Sequence, residues 1–112
     1  MARGLSRGEI WMYEFRPPDK RRPVLVLTRN EAIAVLDAVT VAPISTTIRG
    51  IRSEVEVGIA EGLKAPSAIK LDHLQTVSKS ALKHFVGRVD DATFGMVCHA
   101  VEHAFGCRDL DS

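Results

Sequence analysis

The 112-residue chain lacks long apolar runs, is poor in cysteine and aromatic residues, and carries almost no net charge. No apolar segment approaches the roughly 18 residues that a membrane-spanning helix needs, and the basic N-terminal residues lead into no apolar stretch typical of a signal peptide. The two cysteines, Cys98 and Cys107, are too few for a disulfide framework, so we expect reduced thiols. These absences predict a cytoplasmic protein that does not enter a membrane.

The length and the apolar fraction of 46% predict one globular domain over residues 1–112, with its core at about 7–106. The charge is unevenly distributed, because residues 1–30 hold seven Arg or Lys and three Asp or Glu within a total net charge of +1. A basic N-terminal third is compatible with a polyanionic partner such as RNA. Taken alone, however, this charge favours an ordinary solvated surface.

Short strand patterns dominate the first two thirds of the chain. Residues 8–15 alternate, which places Ile10 and Met12 on one face and the three aromatic residues on the other. An apolar strand follows from Arg22, with Pro23 expected at its first position because proline has no N–H for a ladder. Further strands are expected at the following places: Ala38 to Ser45, residues 53–57 with Val55 and Val57 inward and Glu54 and Glu56 in water, Ser67 to Leu71, 73–77, and Phe85 to Val89.

A helix is predicted at the C-terminal end. Asp90 and Asp91 provide its cap, and Gly106 is the expected terminator. Its apolar stripe has helical spacing and consists of Phe94, Val97, Cys98, Val101 and Phe105. Residues 30–36 fit either a helical turn or an irregular segment. The order of elements predicts a mainly β, α+β fold in which a small, strongly bent antiparallel sheet or barrel carries a C-terminal helix.

Most catalytic motifs are missing from the sequence. His99 and His103 would share a helix face beside Glu102, but the order differs from the zinc-protease pattern and no third ligand is evident. No glycine-rich phosphate loop and no Ser-His-Asp order stands out. We therefore expect no metal and no cofactor, and His73 is a candidate groove residue only.

Arg22, Ser45 and Thr46 form the remaining constellation that suits a chemical step. If the two strands that carry them pair antiparallel, the start of one meets the end of the other and a guanidinium lies beside two hydroxyls. Such a group suits a phosphodiester, because arginine donates to the non-bridging oxygens and hydroxyls orient the phosphate. By spacing alone, an exposed strand-end charge beside an ordinary polar turn is the favoured explanation of the pattern.

Four short motifs, in order, make the sequence similar to the MazF/PemK family of toxin endoribonucleases. They are Arg7-Gly8-Glu9-Ile10-Trp11, Arg22-Pro23-Val24-Leu25-Val26, Val41-Ala42-Pro43-Ile44-Ser45-Thr46 and Asp72-His73-Leu74-Gln75-Thr76-Val77. The resemblance extends from Arg7 to about Phe105. It implies a CcdB/PemK-like barrel of the Src-homology-3 type that forms a homodimer.

The resemblance also implies an activity. This is metal-independent, sequence-selective cleavage of single-stranded RNA, mostly messenger RNA, by 2′-hydroxyl attack, which leaves a cyclic phosphate and a 5′-hydroxyl; a cognate antitoxin protein neutralises it. The family's catalytic arginine falls on Arg22 and its catalytic Thr or Ser on Ser45, with Thr46 adjacent. The residues expected to contact RNA around them are Lys20, Arg21, Thr47, Arg49, His73 and Gln75.

Three departures from the family pattern and two other functions have to be considered. Ser45 stands where many members have Thr, which keeps the hydroxyl, and His73 stands where Gln is common. The loop from Arg16 to Arg21 lacks a longer glycine-containing insertion, and this change leaves the recognised RNA sequence open. The first alternative is a gyrase-poison toxin, since one fold can host both activities. The second is a non-catalytic RNA-binding module, for which only Trp11, Tyr13 and Phe15 are stacking candidates, and these resemble core residues.

Overall fold

A computed structural model describes residues 4–15 and 21–107 of the chain. Its seven strands are β1 (Glu9–Glu14), β2 (Arg21–Val26), β3 (Ala38–Ser45), β4 (Glu54–Val57), β5 (Ser67–Lys70), β6 (Gln75–Ser78) and β7 (His84–Arg88). Two α-helices, α1 (Asn30–Ile33) and α2 (Asp91–Phe105), and three single 3-10 turns complete these elements. The proline-rich loop and the polar C-terminal tail lie outside the described residues.

The strands form one antiparallel sheet in the order β4-β5-β3-β2-β1-β7, and β6 pairs with β3 as well. One edge of β3 pairs with β2, while its other edge pairs first with β6 and then with β5. Pro43 lies at this change of partner. The Thr40 carbonyl accepts a hydrogen bond from the Leu27 N–H, so the backbone groups of Thr40 face β2. Backbone groups of successive residues alternate between the two edges of a strand, so the nitrogen of Pro43 faces the other edge, where no N–H is required.

The two ends of the sheet approach each other through backbone contact. The turn Ile59–Glu61 after β4 lies directly on β7. A Cβ at Gly87 would be 1.9 Å from the Glu61 carbonyl oxygen, and one at Gly62 would be 2.4 Å from that of Val86. Gly62 also has a φ of 97°, which favours glycine. The sheet is therefore curled into a half-closed barrel, and the predicted bent sheet with a C-terminal helix is confirmed.

Each face of the curled sheet buries its own apolar cluster. The main core lies between the sheet and α2 and includes Ile10, Leu25, Ile44, Ile69 and Val97. The Trp11 cluster lies on the other face and is built from Trp11, Val24, Val26, Ile33, Val39, Val41, Val77 and Leu82. Tyr13 and Phe15 pack against this second cluster. The predicted alternation of β1 is confirmed, because its aromatic residues face away from the main core.

Helix α2 begins and ends where the sequence predicts. The Asp90 carboxylate accepts from the Thr93 N–H at 2.7 Å, which lowers the pKa of Asp90. Gly106 ends the helix in the left-handed conformation with φ 63°. The predicted buried stripe is partly wrong. Cys98 is exposed and Phe105 is 61% exposed, whereas Ala100 is buried. The face of α2 that packs on the sheet is the one that carries Ala100, so Cys98 and Phe105 lie toward solvent.

Three further predictions about local structure need correction or are now decided. Pro23 is the third residue of β2, not the first. Its nitrogen faces β3, but the described β2–β3 ladder begins only at Val24, so no hydrogen bond of that ladder requires an N–H from Pro23. Asn30–Ile33 is a helical turn. Glu54 does not face water, since its side chain is 4% exposed and pairs with Lys70. In the described part of the chain, no helix is long and apolar enough to cross a membrane.

Candidate active site

The register of β2 and β3 bears on the relation between Arg22 and Ser45. The two strands pair through Val24 with Pro43, Leu25 with Ala42 and Val26 with Val41. If this register continues by two residues, Arg22 lies opposite Ser45. Residues that face each other in an antiparallel pair have their side chains on the same face. Arg22 is exposed and Ser45 is half-buried, so both are accessible at the end of their strands.

The same row of the sheet continues on both sides of this pair. Tyr13 of β1 lies opposite Arg22, and Ala68 of β5 lies opposite Ser45. Tyr13 is half-buried and contacts Phe15 edge to face, with 4.8 Å between the ring centroids. The exposed arginine and hydroxyl are thus bordered by an aromatic ring on one side and a small residue on the other.

Arg21 and Thr46 point to the opposite face. They line a cleft of about 520 Å³ with an apolar floor that includes Met12, Pro23 and Leu63. This cleft lies on the side of the main core, and neither Arg22 nor Ser45 lines it. With the register continued in this way, Ser45 and not Thr46 shares a face with Arg22.

The hydroxyl of Ser45 is held by the loop that follows β3. Its oxygen accepts a hydrogen bond from the Thr47 N–H at 3.1 Å. This bond occupies one lone pair and leaves the hydroxyl proton free to be donated elsewhere. Residues 46–52 are all exposed, so side-chain burial does not hold the loop in place.

A buried ion pair beneath the loop bonds to it directly. Glu54 and Lys70 face each other across β4 and β5, with 2.5 Å between Oε2 and Nζ and side chains 4% and 10% exposed. Lys70 also donates to the Thr47 carbonyl oxygen. The second oxygen of Glu54 accepts from the N–H groups of Arg49 and Gly50, at 2.9 and 3.2 Å.

The charge of Glu54 is stabilised by these partners. Burial by itself would raise the pKa of Glu54, but hydrogen bonds from Lys70 and from two loop N–H groups outweigh burial, and the pKa is lowered. Glu54 is therefore charged near neutral pH. The donors and acceptors of the pair are directed at the backbone that follows Ser45.

The other residues predicted to contact RNA are spread over a wider surface. Thr47 and Arg49 are exposed in the loop after β3. His73 is exposed in the 3-10 turn Leu71–His73, so it does not lie on a strand as predicted. Gln75 is exposed at the start of β6, opposite Val41 and on the same face as Ser45, about 13 Å along β3. Lys20 lies outside the described residues.

The histidines of α2 line a groove that does not include Arg22 or Ser45. His99 and His103 are exposed, and their groove of about 600 Å³ is also lined by Arg52, Glu54 and Met96. Across residues 4–15 and 21–107, no three His, Cys, Asp or Glu side chains come together in a way that could hold a metal ion. Among the described residues, the Arg22–Ser45 site thus contains a guanidinium and a hydroxyl, but no carboxylate or imidazole cluster.

Sequence reasoning missed the Glu54–Lys70 pair. Strict alternation over residues 53–57 directed Glu54 outward, and the outward face at this point is covered by the loop and by Lys70. A signal was present in the sequence. Lys70 stands between Ile69 and Leu71 in an apolar run, and a lysine in a buried strand requires a partner of opposite charge.

Comparisons with known proteins agree with this arrangement of elements. A protein-family profile described as "PemK-like, MazF-like toxin of type II toxin-antitoxin system" matches residues 6–105. The probable endoribonuclease MazF5 of Mycobacterium tuberculosis is 41% identical over 104 residues, which cover 91% of this chain and 94% of that protein. The endoribonuclease MazF3 of the same organism is 41% identical over 93 residues, which cover 83% and 87%.

Solved structures give the same picture. The Mycobacterium tuberculosis toxin MazF-mt6 superposes with a TM-score of 0.81 at 37% identity, covering 88% of this chain and 96% of that one. MazF of Deinococcus radiodurans superposes with a TM-score of 0.77 at 18% identity, a likeness of fold alone.

Proposed function

We propose that this chain, which belongs to the PemK-like, MazF-like toxins of type II toxin–antitoxin systems and is an endoribonuclease, acts on single-stranded RNA. The proposed active site is formed by the side chains of Arg22 and Ser45. The endoribonuclease predicted from the motifs is confirmed. A gyrase poison and a non-catalytic RNA-binding module were the alternatives, and relatives named as endoribonucleases at 41% identity favour neither. Messenger RNA is the proposed substrate, which places the activity in the cytoplasm.

The proposed reaction uses a nucleophile that RNA itself provides. The 2′-hydroxyl oxygen attacks the adjacent phosphorus, the bond from phosphorus to the 5′ oxygen breaks, and a 2′,3′-cyclic phosphate and a 5′-hydroxyl result. The proton lost by the 2′-hydroxyl is balanced by the proton that the 5′ oxygen gains. Arg22 donates to the non-bridging oxygens and stabilises the additional negative charge of the pentacovalent state. Arginine stays protonated near neutral pH, so its role is electrostatic.

Ser45 orients the phosphate in this mechanism. Its oxygen accepts from Thr47, so its proton is available for a phosphate oxygen on the side of Arg22. The observation that supports the proposal is the β2–β3 register, which puts Arg22 opposite Ser45 on one accessible face when it is continued two residues beyond Val24 and Pro43. Thr47 and Arg49 are exposed in the loop after Ser45, Gln75 is exposed further along the same face, and Arg21 is exposed on the opposite face. With Lys20 and His73 they are the proposed contacts to flanking nucleotides.

Two protein partners follow from the family. A type II toxin is neutralised by an antitoxin protein, so we propose that a cognate antitoxin binds this chain and covers the Arg22–Ser45 face. We also propose a homodimer, in keeping with the resemblance. These partners complete a proposed cycle in which the toxin acts on RNA only when the antitoxin has been removed.

We expect cleavage to continue in the presence of a chelator. The 2′-hydroxyl serves as nucleophile and Arg22 supplies the positive charge, so no step requires a metal ion. Purified protein should cut a long RNA in EDTA, and sequencing of the ends should map 5′-hydroxyl termini at a recurring motif. An oligonucleotide with a single 2′-deoxy substitution at the mapped site should resist cleavage, whereas the same substitution one nucleotide away should not.

Loss of activity in EDTA with recovery on addition of magnesium or zinc would contradict this mechanism. Cleavage of the 2′-deoxy oligonucleotide would contradict the 2′-hydroxyl as nucleophile. Full-length RNA at every protein concentration, with binding retained, would instead indicate the non-catalytic alternative.

We expect Ser45→Ala to reduce the single-turnover rate by at least about tenfold, roughly 1.4 kcal/mol in the barrier. Thr46→Ala should have a smaller effect, because Thr46 lines the cleft on the opposite face. Ser45→Thr should remain active, since it keeps the hydroxyl. The measurement is cleavage of one labelled RNA by the three variants. If Thr46→Ala is the inactive variant, the proposed continuation of the β2–β3 register to Arg22 is off by one residue.

A further inference from the structure

The loop after Ser45 is ordered by hydrogen bonds in the absence of burial. Residues 46–52 are exposed, yet the N–H and carbonyl groups of Thr47 and the N–H groups of Arg49 and Gly50 all have partners. Apart from Ser45, the side chains that supply these bonds are Glu54 and Lys70. One buried pair therefore determines the path of the backbone that bonds to the Ser45 hydroxyl.

Glu54 and Lys70 bond to the loop in addition to pairing with each other across β4 and β5. A buried ion pair is weak support for stability, because apolar residues of similar volume are often as good or better at the same place. Here both carboxylate oxygens of Glu54 are used, one by Lys70 and the other by the loop. Lys70 divides its ammonium between Glu54 and the Thr47 carbonyl. This arrangement is explained by positioning of the loop.

We propose that Glu54 and Lys70 are positioning residues for RNA cleavage, and we name them the Glu54–Lys70 clamp. Lys70 donates to the Thr47 carbonyl, and the Thr47 N–H in turn donates to the Ser45 oxygen. Through Thr47, the clamp directs the Ser45 hydroxyl toward Arg22. Glu54 holds the loop further along the chain, through the N–H groups of Arg49 and Gly50. The proposal rests on the proposed function, since it acts through Ser45.

The test is removal of both charges together. The double variant Glu54→Gln/Lys70→Met leaves no buried charge unpaired, so it should melt within about 5 °C of the wild type. We expect kcat for a labelled RNA to fall at least about tenfold, with KM changed by less than about twofold, because positioning acts mainly in the transition state. Glu61→Gln is the matched control, since Glu61 holds the Gly58 N–H at 2.6 Å on the turn that packs on β7. It should cleave at the wild-type rate.

A double-mutant cycle separates positioning from a merely structural role. If the clamp acts through Ser45, its removal in a Ser45→Ala background should lower the rate by less than about twofold more. A full additional tenfold loss in that background would overturn the proposal, as would a wild-type kcat in the clamp variant beside an impaired Ser45→Ala. Wild-type cleavage by Ser45→Ala alone would instead overturn the assignment of Ser45 under the proposed function.

A second variant serves if the double variant does not fold. Glu54→Gln alone keeps the size and an acceptor oxygen and removes one charge. We expect faster hydrogen exchange at the Arg49 and Gly50 amides and a kcat about threefold lower. Unchanged exchange together with unchanged kcat would overturn the clamp.

Discussion

Arg22→Ala is expected to lose two to three orders of magnitude in cleavage rate, corresponding to about 3 kcal/mol or more of transition-state stabilisation. The reason is that the guanidinium is the proposed donor to the non-bridging oxygens as negative charge develops there. The melting temperature should stay unchanged, because Arg22 is exposed and makes no described ion pair within residues 4–15 and 21–107. Single-turnover cleavage and a thermal melt on the same preparation give both quantities.

Two variants make this result specific. Arg88→Ala removes an exposed arginine from β7 and should leave the rate unchanged, so it controls for the loss of one positive charge. Arg21→Ala removes the neighbouring arginine on the opposite face and should weaken RNA binding more than it slows the chemical step. Cleavage by Arg22→Ala within about threefold of the wild type, in a folded protein, would remove Arg22 from the mechanism.

Among the variants proposed for this chain, Gly87→Ala is expected to lower the free energy of unfolding the most. The added Cβ would lie 1.9 Å from the Glu61 carbonyl oxygen and 2.8 Å from its carbon, and both are backbone atoms that no rotamer change can move. The turn after β4 would have to separate from β7. We expect the free energy of unfolding to fall by about 3 kcal/mol or more, which corresponds to a decrease in Tm of about 10 °C or more.

Gly95→Ala is the matched control for this prediction. Gly95 lies within α2, and a Cβ there meets no atom within 4 Å. Alanine in a helix interior should raise stability by about 0.5–1 kcal/mol. The same substitution thus has opposite signs at two glycines of one chain. Denaturant unfolding of both variants measures the difference, and equal effects would mean that β7 and the turn do not pack as described.

The sequence was informative wherever one local rule decided the outcome. Alternation in β1 separated Ile10 from Trp11, and the acidic cap and terminal glycine marked both ends of α2. The β3 strand was predicted over its observed range, Ala38–Ser45. In each case, the side-chain period or the need to satisfy helix-end N–H groups is a property of neighbouring residues.

Sequence reasoning was wrong where a distant element determined the environment. Glu54 follows the outward phase of its strand, but a lysine sixteen positions later in the chain and a loop lie over it. Cys98 has the spacing of a buried residue, but α2 turns Ala100 toward the sheet instead. The pairing of Arg22 with Ser45 could be predicted only on the condition that their strands pair antiparallel, because it depends on the register between the two strands. These properties belong to pairs of segments, and no local pattern encodes them.

The position of β3 has a consequence for the order in which the protein becomes competent during synthesis. β3 pairs with β2, β5 and β6, so its partners extend from residue 21 to residue 78. During synthesis, Arg22 and Ser45 emerge early, but the end of β3 that carries Ser45 lacks β5 until residue 70 has emerged, and its other end lacks β6 until residue 78. We therefore expect an unfinished chain to carry the proposed catalytic pair before β3 is held on both edges, and to cleave RNA poorly until then.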